Sequence, residues 1–257
     1  MAAKVSYTLR RTKENIIARK IQKKDYQLMG KVVVFDLDGT LVDSAPDLRV
    51  AINKLLGEED RRALSLDEVI GMIGDGAVKL VERAFAATGG RPDAESPRQL
   101  TSRFLAFYEG HATESTRPYP GVRETLALLR EQRWSLGICT NKPERATLEV
   151  LRNLGLDRYF GAIVGGDSIA GVKKPDPRLL LAVIEGLGAA PAEAVMVGDN
   201  ANDVHAARAA GVPVIVRSGG YTRVPTSHLG ADAVIDAFCE LPAALDRLAG
   251  RGARSEH

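Results

Sequence analysis

The sequence predicts an α/β protein, in which helices cover both faces of a parallel sheet and a small all-helical module follows the first strand. Two observations support this fold class. Short apolar runs alternate with helical segments over residues 117–247, a pattern typical of a parallel sheet buried on both faces. Residues 46–116 show helical spacing and no convincing strand, so we expect them to form an insert that splits the sheet domain.

The first predicted strand is the run Val32 to Phe35, and further runs cover 134–139, 162–164, 194–197 and 212–216, with a weaker one at 233–235. Pro143 and Gly155 bracket the helix after the second run, because Pro favours a first helical turn and Gly the position after a helix end. The insert carries three amphipathic faces. They are formed by Leu48, Ile52, Leu55 and Leu56, by Ala77, Leu80, Val81 and Ala84, and by Phe104, Leu105 and Tyr108.

These elements predict a division into four parts. A basic, disordered extension covers 1–30, the sheet domain covers 31–45 and 117–250, a helical cap covers 46–116, and a polar tail covers 251–257.

Composition excludes several classes of protein. The 257 residues are 45% hydrophobic and 26% charged, which is typical of a globular chain. Cys139 and Cys239 form neither a disulfide framework nor a CxxC metal site, so we expect a reducing, cytoplasmic setting. No apolar run approaches the ~18 residues of a membrane span, and no secretory signal is recognisable, so we expect no membrane partner.

The charge is unevenly distributed. Residues 1–31 hold nine Lys or Arg against two acidic residues, which is +7, and the remainder of the chain sums to −5 because the net charge is +2. Such an arm could contact nucleic acid or an anionic membrane. We favour a plain extension instead, since Met29-Gly30, immediately before the first strand, would be a natural start, and we expect no nucleic-acid partner. The sequence does not define an oligomeric state.

Two carboxylates end the first strand. Asp36 and Asp38 are two residues apart, so in an extended chain both side chains point to the same side. Gly39 then allows a tight turn that exposes backbone N–H groups. Beside an anionic ligand and a cation, one carboxylate can act as nucleophile while the other holds a proton as general acid. The alternative is an ordinary strand-ending turn.

Two further segments suggest anion binding. Thr140 and Asn141 follow the second run and offer a hydroxyl and backbone N–H groups as a phosphate cradle, although either could instead cap the next helix. Lys174, next to the rigid Pro175, could direct its ammonium towards an anion, whereas Lys173 is better interpreted as surface charge.

A fourth segment suggests a metal. Asp199 and Asp203 are four apart and share one face if a helix begins in this loop, although acidic residues here could simply cap it. Oxygen ligands without His or Cys suit Mg²⁺. Asp36, Asp199 and Asp203 with a phosphoryl dianion total −5, while Mg²⁺ and Lys174 supply +3, so we expect activity to require the metal.

The segments DLDGTLVDS, TNK, KP and GDNAND together resemble the haloacid dehalogenase superfamily, in the same order and each after a predicted strand. The resemblance implies a Rossmann-like core with an α-helical cap. It also implies a nucleophile that forms an aspartyl-phosphate, a general acid and then base, phosphate ligands, magnesium ligands and a supporting acid. By the resemblance, the nucleophile is Asp36, and the general acid and then base is Asp38. The phosphate ligands are Thr140 and Lys174. The magnesium ligands are Asp36, Asp199 and the Asp38 carbonyl, and the supporting acid is Asp203.

Within the superfamily, Asp38 favours phosphoryl chemistry over dehalogenation. The segments Gly71–Ala77 and Gly219–Thr222 look like those of phosphoglycolate phosphatases, which implies 2-phosphoglycolate as the substrate. Gly74, Gly76 and Arg83 would then bind its carboxylate, unless the loop is only a helix connection and Arg83 is solvated. The alternatives are a phosphatase or phosphomutase for another small ester, such as a sugar phosphate or pyrophosphate, and a non-catalytic phosphate-binding regulator.

Overall fold

The computed structural model describes residues 31–92 and 95–252. The expected extension 1–30 and most of the expected tail 251–257 lie outside these residues. Within them, six parallel strands form one sheet in the order β5-β4-β1-β6-β7-β8. These strands are β1 Val32–Phe35, β4 Ser135–Cys139, β5 Ala162–Val164, β6 Ala194–Gly198, β7 Val214–Arg217 and β8 Ala233–Ile235.

Nine α-helices are described. In the insert these are α1 Ala45–Glu58, α2 Leu66–Ile70, α3 Ala77–Ala87 and α4 Pro97–Tyr108. In the sheet domain they are α5 Val122–Glu131, α6 Glu144–Asn153, α7 Arg178–Gly186, α8 Ala201–Ala210 and α9 Leu241–Gly252. Among the described helices, none combines the length and the apolar character needed to cross a membrane.

The predicted fold class is confirmed, with small shifts of strand ends. β1, β5 and β8 have the predicted bounds, and β4 begins one residue later than predicted. β7 begins at Val214 rather than Val212. Pro213 has no N–H to donate, and only its carbonyl joins the sheet, by accepting from Met196 N–H at 2.8 Å.

A short second sheet was not predicted. β2 Val42–Asp43 pairs antiparallel with β3 Arg117–Pro118, so the chain enters and leaves the helical insert through adjacent strands. Two-residue strands are too short to show an alternating pattern in the sequence. This ribbon places both ends of the insert beside the carboxyl end of β1.

Alternation along β1 divides the core. Val33 and Phe35 belong to one apolar cluster, and Val32 and Val34 belong to the other. The first cluster continues into the insert, where it includes the buried apolar residues of α1, α3 and α4. The insert therefore packs over the same sheet face as Phe35, directly beside the end of β1.

Candidate active site

Asp36 lies at the carboxyl end of β1, where its N–H donates to the Val197 carbonyl at 2.9 Å and fixes the backbone against β6. Its Oδ1 accepts from Leu37 N–H at 2.7 Å and lies 2.9 Å from Lys174 Nζ. Burial raises the pKa of Asp36 to about 6, although Lys174 opposes this shift. The carboxylate of Asp36 is therefore held by a buried cation.

Lys174 connects two carboxylates. Its buried ammonium lies 2.9 Å from Asp36 Oδ1 and donates to Asp203 Oδ1 at 2.6 Å. Burial disfavours its charge, but Asp203 and Asp36 outweigh burial and raise the pKa of Lys174 above its usual value. The side chain predicted to meet a phosphate is thus aligned by its own acidic neighbours.

The loop after β6 differs from the prediction in one respect. The helix begins at Ala201, after Asn200 as N-cap, so Asp199 precedes the helix and does not share a helical face with Asp203. The two approach because Asp203 Oδ2 accepts from the N–H groups of Asp199 and Asn200, at 3.1 and 3.2 Å. Asp203 therefore also caps the helix, which was the alternative interpretation.

Asp199 completes an acidic cluster. One carboxylate oxygen from each of Asp36, Asp199 and Asp203 lies within 4.8 Å of the others. Asp199 accepts from Thr40 Oγ1 at 3.1 Å and from Tyr221 N–H at 2.6 Å. Burial, followed by the charges of Asp203 and Asp36, raises the pKa of Asp199 to about 8.

This cluster fits a hard divalent cation. When all three carboxylates are ionised, they and the Lys174 ammonium leave a charge of −2, and the side-chain donors of the cluster are all oxygen. Asp203 and Asp199 both accept hydrogen bonds through both oxygens, whereas Asp36 Oδ2 accepts none among the described residues. Asp36 is therefore the carboxylate of the cluster most open to a metal, with Asp199 beside it. The raised pKa values of these two groups have the sign expected of a site with uncompensated negative charge.

Asp38 belongs to a separate ion pair. Lys142 Nζ lies 3.2 Å from each carboxylate oxygen of Asp38 and donates to Tyr108 Oη at 2.8 Å. Ser44 Oγ donates to Asp38 Oδ1 at 2.6 Å. Burial lowers the pKa of Lys142, but Asp38 and Tyr108 outweigh this effect, so its pKa is raised overall. Asp36 and Asp38 thus face different lysines.

Thr140 and Asn141 directly follow β4 but make different contacts. Thr140 is buried, and its Oγ1 accepts from Lys142 N–H at 3.3 Å. Asn141 Nδ2 donates to the carbonyls of Gly74 and Lys174, at 2.9 and 3.0 Å, and its Oδ1 accepts from Lys174 N–H at 2.7 Å. Neither caps α6, whose N-cap is Pro143. Asn141 therefore connects the insert loop to the segment that carries Lys174.

The loop before α3 contacts the sheet domain. Gly74 and Gly76 have φ of +117° and +86°, a region that favours glycine. Asn202 Nδ2 donates to Asp75 Oδ1 at 2.6 Å, and Arg83 forms an ion pair with Asp75 and donates to the Met72 carbonyl at 3.0 Å. The two glycines line the cleft described below, whereas Arg83 is paired with Asp75 and is not among its lining residues.

Gly39 brings the turn after β1 against the acidic cluster. Its φ is +83°, and a Cβ at this position would lie 2.5 Å from Asp199 Oδ2 and 2.9 Å from the Tyr221 ring. Only glycine allows this approach without strain. The predicted tight turn is present, and it brings Thr40 within reach of Asp199.

A cleft between the insert and the sheet joins these groups. Its volume is about 510 Å³, including space open to solvent, and Asp36, Asp38 and Thr140 lie along its floor. The insert contributes Gly74, Gly76 and apolar side chains such as Phe104. An anionic group of a small molecule could therefore meet both aspartates between partly apolar walls.

Sequence reasoning missed two site residues. The TNK segment predicts no role for Lys142, and the sequence pattern places Tyr108 on an apolar helix face. A lysine directly after Thr140 and Asn141 at a strand end was a usable signal. Tyr108 offered none, because its contact with Lys142 depends on how the insert packs.

Comparisons with known proteins agree with this geometry. A family model described as haloacid dehalogenase-like hydrolase matches residues 31–211. The chain is 46% identical over 217 residues to a phosphoglycolate phosphatase of Rhodospirillum rubrum, covering 83% of this chain and 90% of that protein. It is 42% identical over 219 residues to one of Caulobacter vibrioides, covering 85% and 92%.

A solved structure is also similar. A crystal structure from Haemophilus somnus, described as a predicted phosphoglycolate phosphatase, superposes with a TM-score of 0.79 at 32% identity, covering 83% of this chain and 97% of that one.

Proposed function

The chain belongs to the haloacid dehalogenase-like hydrolases, and from that premise we propose that it is a Mg²⁺-dependent phosphatase that hydrolyses 2-phosphoglycolate through an aspartyl-phosphate at Asp36. The observation that carries the proposal is the meeting of Asp36, Lys174, Asp199 and Asp203 at the carboxyl ends of β1 and β6. The names of the relatives from Rhodospirillum rubrum and Caulobacter vibrioides support the substrate.

Asp36 supplies the nucleophile. Its Oδ1 is engaged by Leu37 N–H and Lys174, and no hydrogen bond among the described residues reaches Oδ2. Oδ2 is therefore the oxygen available to attack phosphorus, while the contacts of Oδ1 fix the carboxylate plane. As the new O–P bond forms, the bond from phosphorus to the ester oxygen breaks.

Asp38 acts as the general acid and then as the general base. It donates a proton to the leaving ester oxygen in the first step, so that glycolate leaves as a hydroxyl compound. In the second step it accepts a proton from the water that attacks the phosphorus of the aspartyl-phosphate, which releases phosphate and restores Asp36. Ser44 Oγ, 2.6 Å from Asp38 Oδ1, holds the side chain for both transfers.

The metal would be held by Asp36, Asp199 and the Asp38 carbonyl. When bound, it supplies positive charge that offsets the repulsion between a phosphate dianion and a carboxylate. Lys174 and the Thr140 hydroxyl bind the phosphoryl oxygens from the protein side. Asp203 keeps Lys174 oriented and does not need to contact the metal.

Phosphate release from 2-phosphoglycolate, measured with Mg²⁺ and with EDTA, tests the proposal. We expect Asp36→Asn to reduce kcat by at least about a thousandfold and Asp38→Asn to reduce it by about 10²- to 10⁴-fold. Asp67→Asn, on an exposed part of α2, is the matched control and should retain full activity. Near-normal turnover by Asp36→Asn, or turnover that EDTA leaves unchanged, would contradict the mechanism.

A substrate panel tests the specificity separately. The same kcat/KM for 2-phosphoglycolate, sugar phosphates and pyrophosphate would overturn the assignment of 2-phosphoglycolate but not the hydrolytic chemistry. The cytoplasmic setting predicted from cysteine usage stays part of this proposal.

A further inference from the structure

Lys142 is the only Lys or Arg among the described residues that lines the cleft. Its side chain is 4% exposed, although its ammonium faces the same cavity as Asp36 and Asp38. Lys174 is committed to Asp36 and Asp203. Among the residues that line the cleft, Lys142 therefore supplies the positive charge available to a ligand beyond its phosphoryl group, while the Lys173 ammonium lies next to Gly76 outside that lining.

The ammonium of Lys142 makes one short bond and two longer contacts. It has three N–H donors, and Tyr108 Oη accepts one of them at 2.8 Å. The two Asp38 oxygens lie equally far away, at 3.2 Å, which is longer than the roughly 2.7–2.9 Å of strong charge-assisted bonds. Asp38 thus holds the ammonium loosely, and a second anionic acceptor can approach it without breaking a short bond.

The position of Lys142 is fixed from both domains. Its N–H donates to Thr140 Oγ1 at 3.3 Å, and its carbonyl accepts from Gly166 N–H at 2.8 Å. Tyr108 is the last residue of α4 in the insert, and its ring centroid lies 4.5 Å from Lys142 Nζ. The ammonium is therefore held where the insert meets the sheet domain, on the Asp38 side of the cleft.

We propose that Lys142 is the specificity-determining residue of this site, and that its ammonium binds a carboxylate carried on the carbon next to the ester oxygen of the substrate. This inference rests on the proposed function, because Asp38 must protonate that ester oxygen. A carboxylate on the adjacent carbon then lies beside Asp38, within reach of the ammonium that already contacts both Asp38 oxygens. Arg83, paired with Asp75 outside the cleft lining, is less well placed.

The test compares 2-phosphoglycolate with its uncharged primary amide, which has the same size and the same leaving oxygen. We expect wild-type protein to prefer the acid, and Lys142→Met to reduce the ratio of the two kcat/KM values by about tenfold to a hundredfold. Lys142→Arg keeps the charge and should retain part of the preference. Lys79→Met, which removes a half-exposed lysine of α3, should leave the ratio unchanged.

An equal loss for acid and amide in Lys142→Met would overturn the inference, since Lys142 would then act only through Asp38. Tyr108→Phe gives an independent reading that keeps the lysine. It removes one acceptor that orients the ammonium, so we expect a several-fold lower ratio, and an unchanged ratio counts against the inference even if the lysine variants do not fold. Wild-type protein that hydrolyses neither compound would instead refute the proposed function.

Discussion

Replacing Lys174 with Met tests the charge balance of the site most directly. The ammonium is almost wholly buried and lies 2.9 Å from Asp36 Oδ1 and 2.6 Å from Asp203 Oδ1. Methionine has a similar length but no charge, so the variant leaves two carboxylates without their shared cation. Removing one partner of a buried ion pair costs about 3–5 kcal/mol, a large part of the ~5–15 kcal/mol that stabilises a typical protein.

The size of this loss should depend on pH. Burial raises the pKa of Asp36 to about 6, above the 3.8 of an unperturbed Asp, so the folded state binds this proton more tightly than the unfolded chain. Without Lys174 the pKa of Asp36 should rise further. Protonation then relieves the unpaired charge, and the destabilisation at pH 8 should exceed that at pH 5.

Urea unfolding followed by circular dichroism measures both effects, with EDTA present so that no metal compensates. Lys79→Met is the control, because this exposed lysine should change the free energy of unfolding by no more than about 0.5 kcal/mol. A loss below about 1 kcal/mol for Lys174→Met at pH 8, or an equal loss at both pH values, would refute this account of the cluster.

Two further predictions concern the acidic cluster and the turn beside it. Burial raises the pKa of Asp36 to about 6 and of Asp199 to about 8, so protons should compete with Mg²⁺ for these carboxylates. The rise in Tm on adding Mg²⁺ should therefore be small at pH 5 and grow as the pH is raised to 8. Differential scanning calorimetry in Ca²⁺-free buffers measures this rise, and a rise that does not depend on pH would contradict the prediction. Gly39→Ala introduces a Cβ 2.5 Å from Asp199 Oδ2 at a φ of +83°, so it should destabilise the fold by about 1–3 kcal/mol and weaken Mg²⁺ binding. Gly57→Ala, where a Cβ meets nothing within 4 Å, should be neutral or stabilising, and a similar effect of both substitutions would disprove the steric argument.

The fold was largely predictable because its strands are buried on both faces. Val32 to Phe35 is apolar at every position, and the structure buries all four residues. Such runs are visible in a sequence because no solvent-facing residue interrupts them. The ribbon of Val42–Asp43 and Arg117–Pro118 was not predictable, since its pairing depends on where the insert begins and ends.

The site was predictable to the extent that strand ends determine it. Asp36, Thr140 and Asp199 each follow a parallel strand, and neighbouring strands bring their carboxyl ends to one edge of the sheet. Contacts between the insert and the sheet domain could not be predicted from the sequence. The bond from Lys142 to Tyr108 and the bond from Asn202 to Asp75 depend on the packing of α3 and α4, which no local pattern encodes.

The two lysines give the carboxylates of Asp36 and Asp38 different surroundings, which is what their proposed roles require. Lys174 contacts Asp36 and Asp203, while Lys142, which lines the cleft, contacts Asp38. A single shared cation would give Asp36 and Asp38 the same environment and therefore similar chemistry. With separate partners, the ammonium that holds the proposed nucleophile differs from the ammonium beside the proposed proton donor. Substitutions at Lys174 and Lys142 should accordingly differ in kind, the first removing attack on every ester and the second changing which esters are chosen.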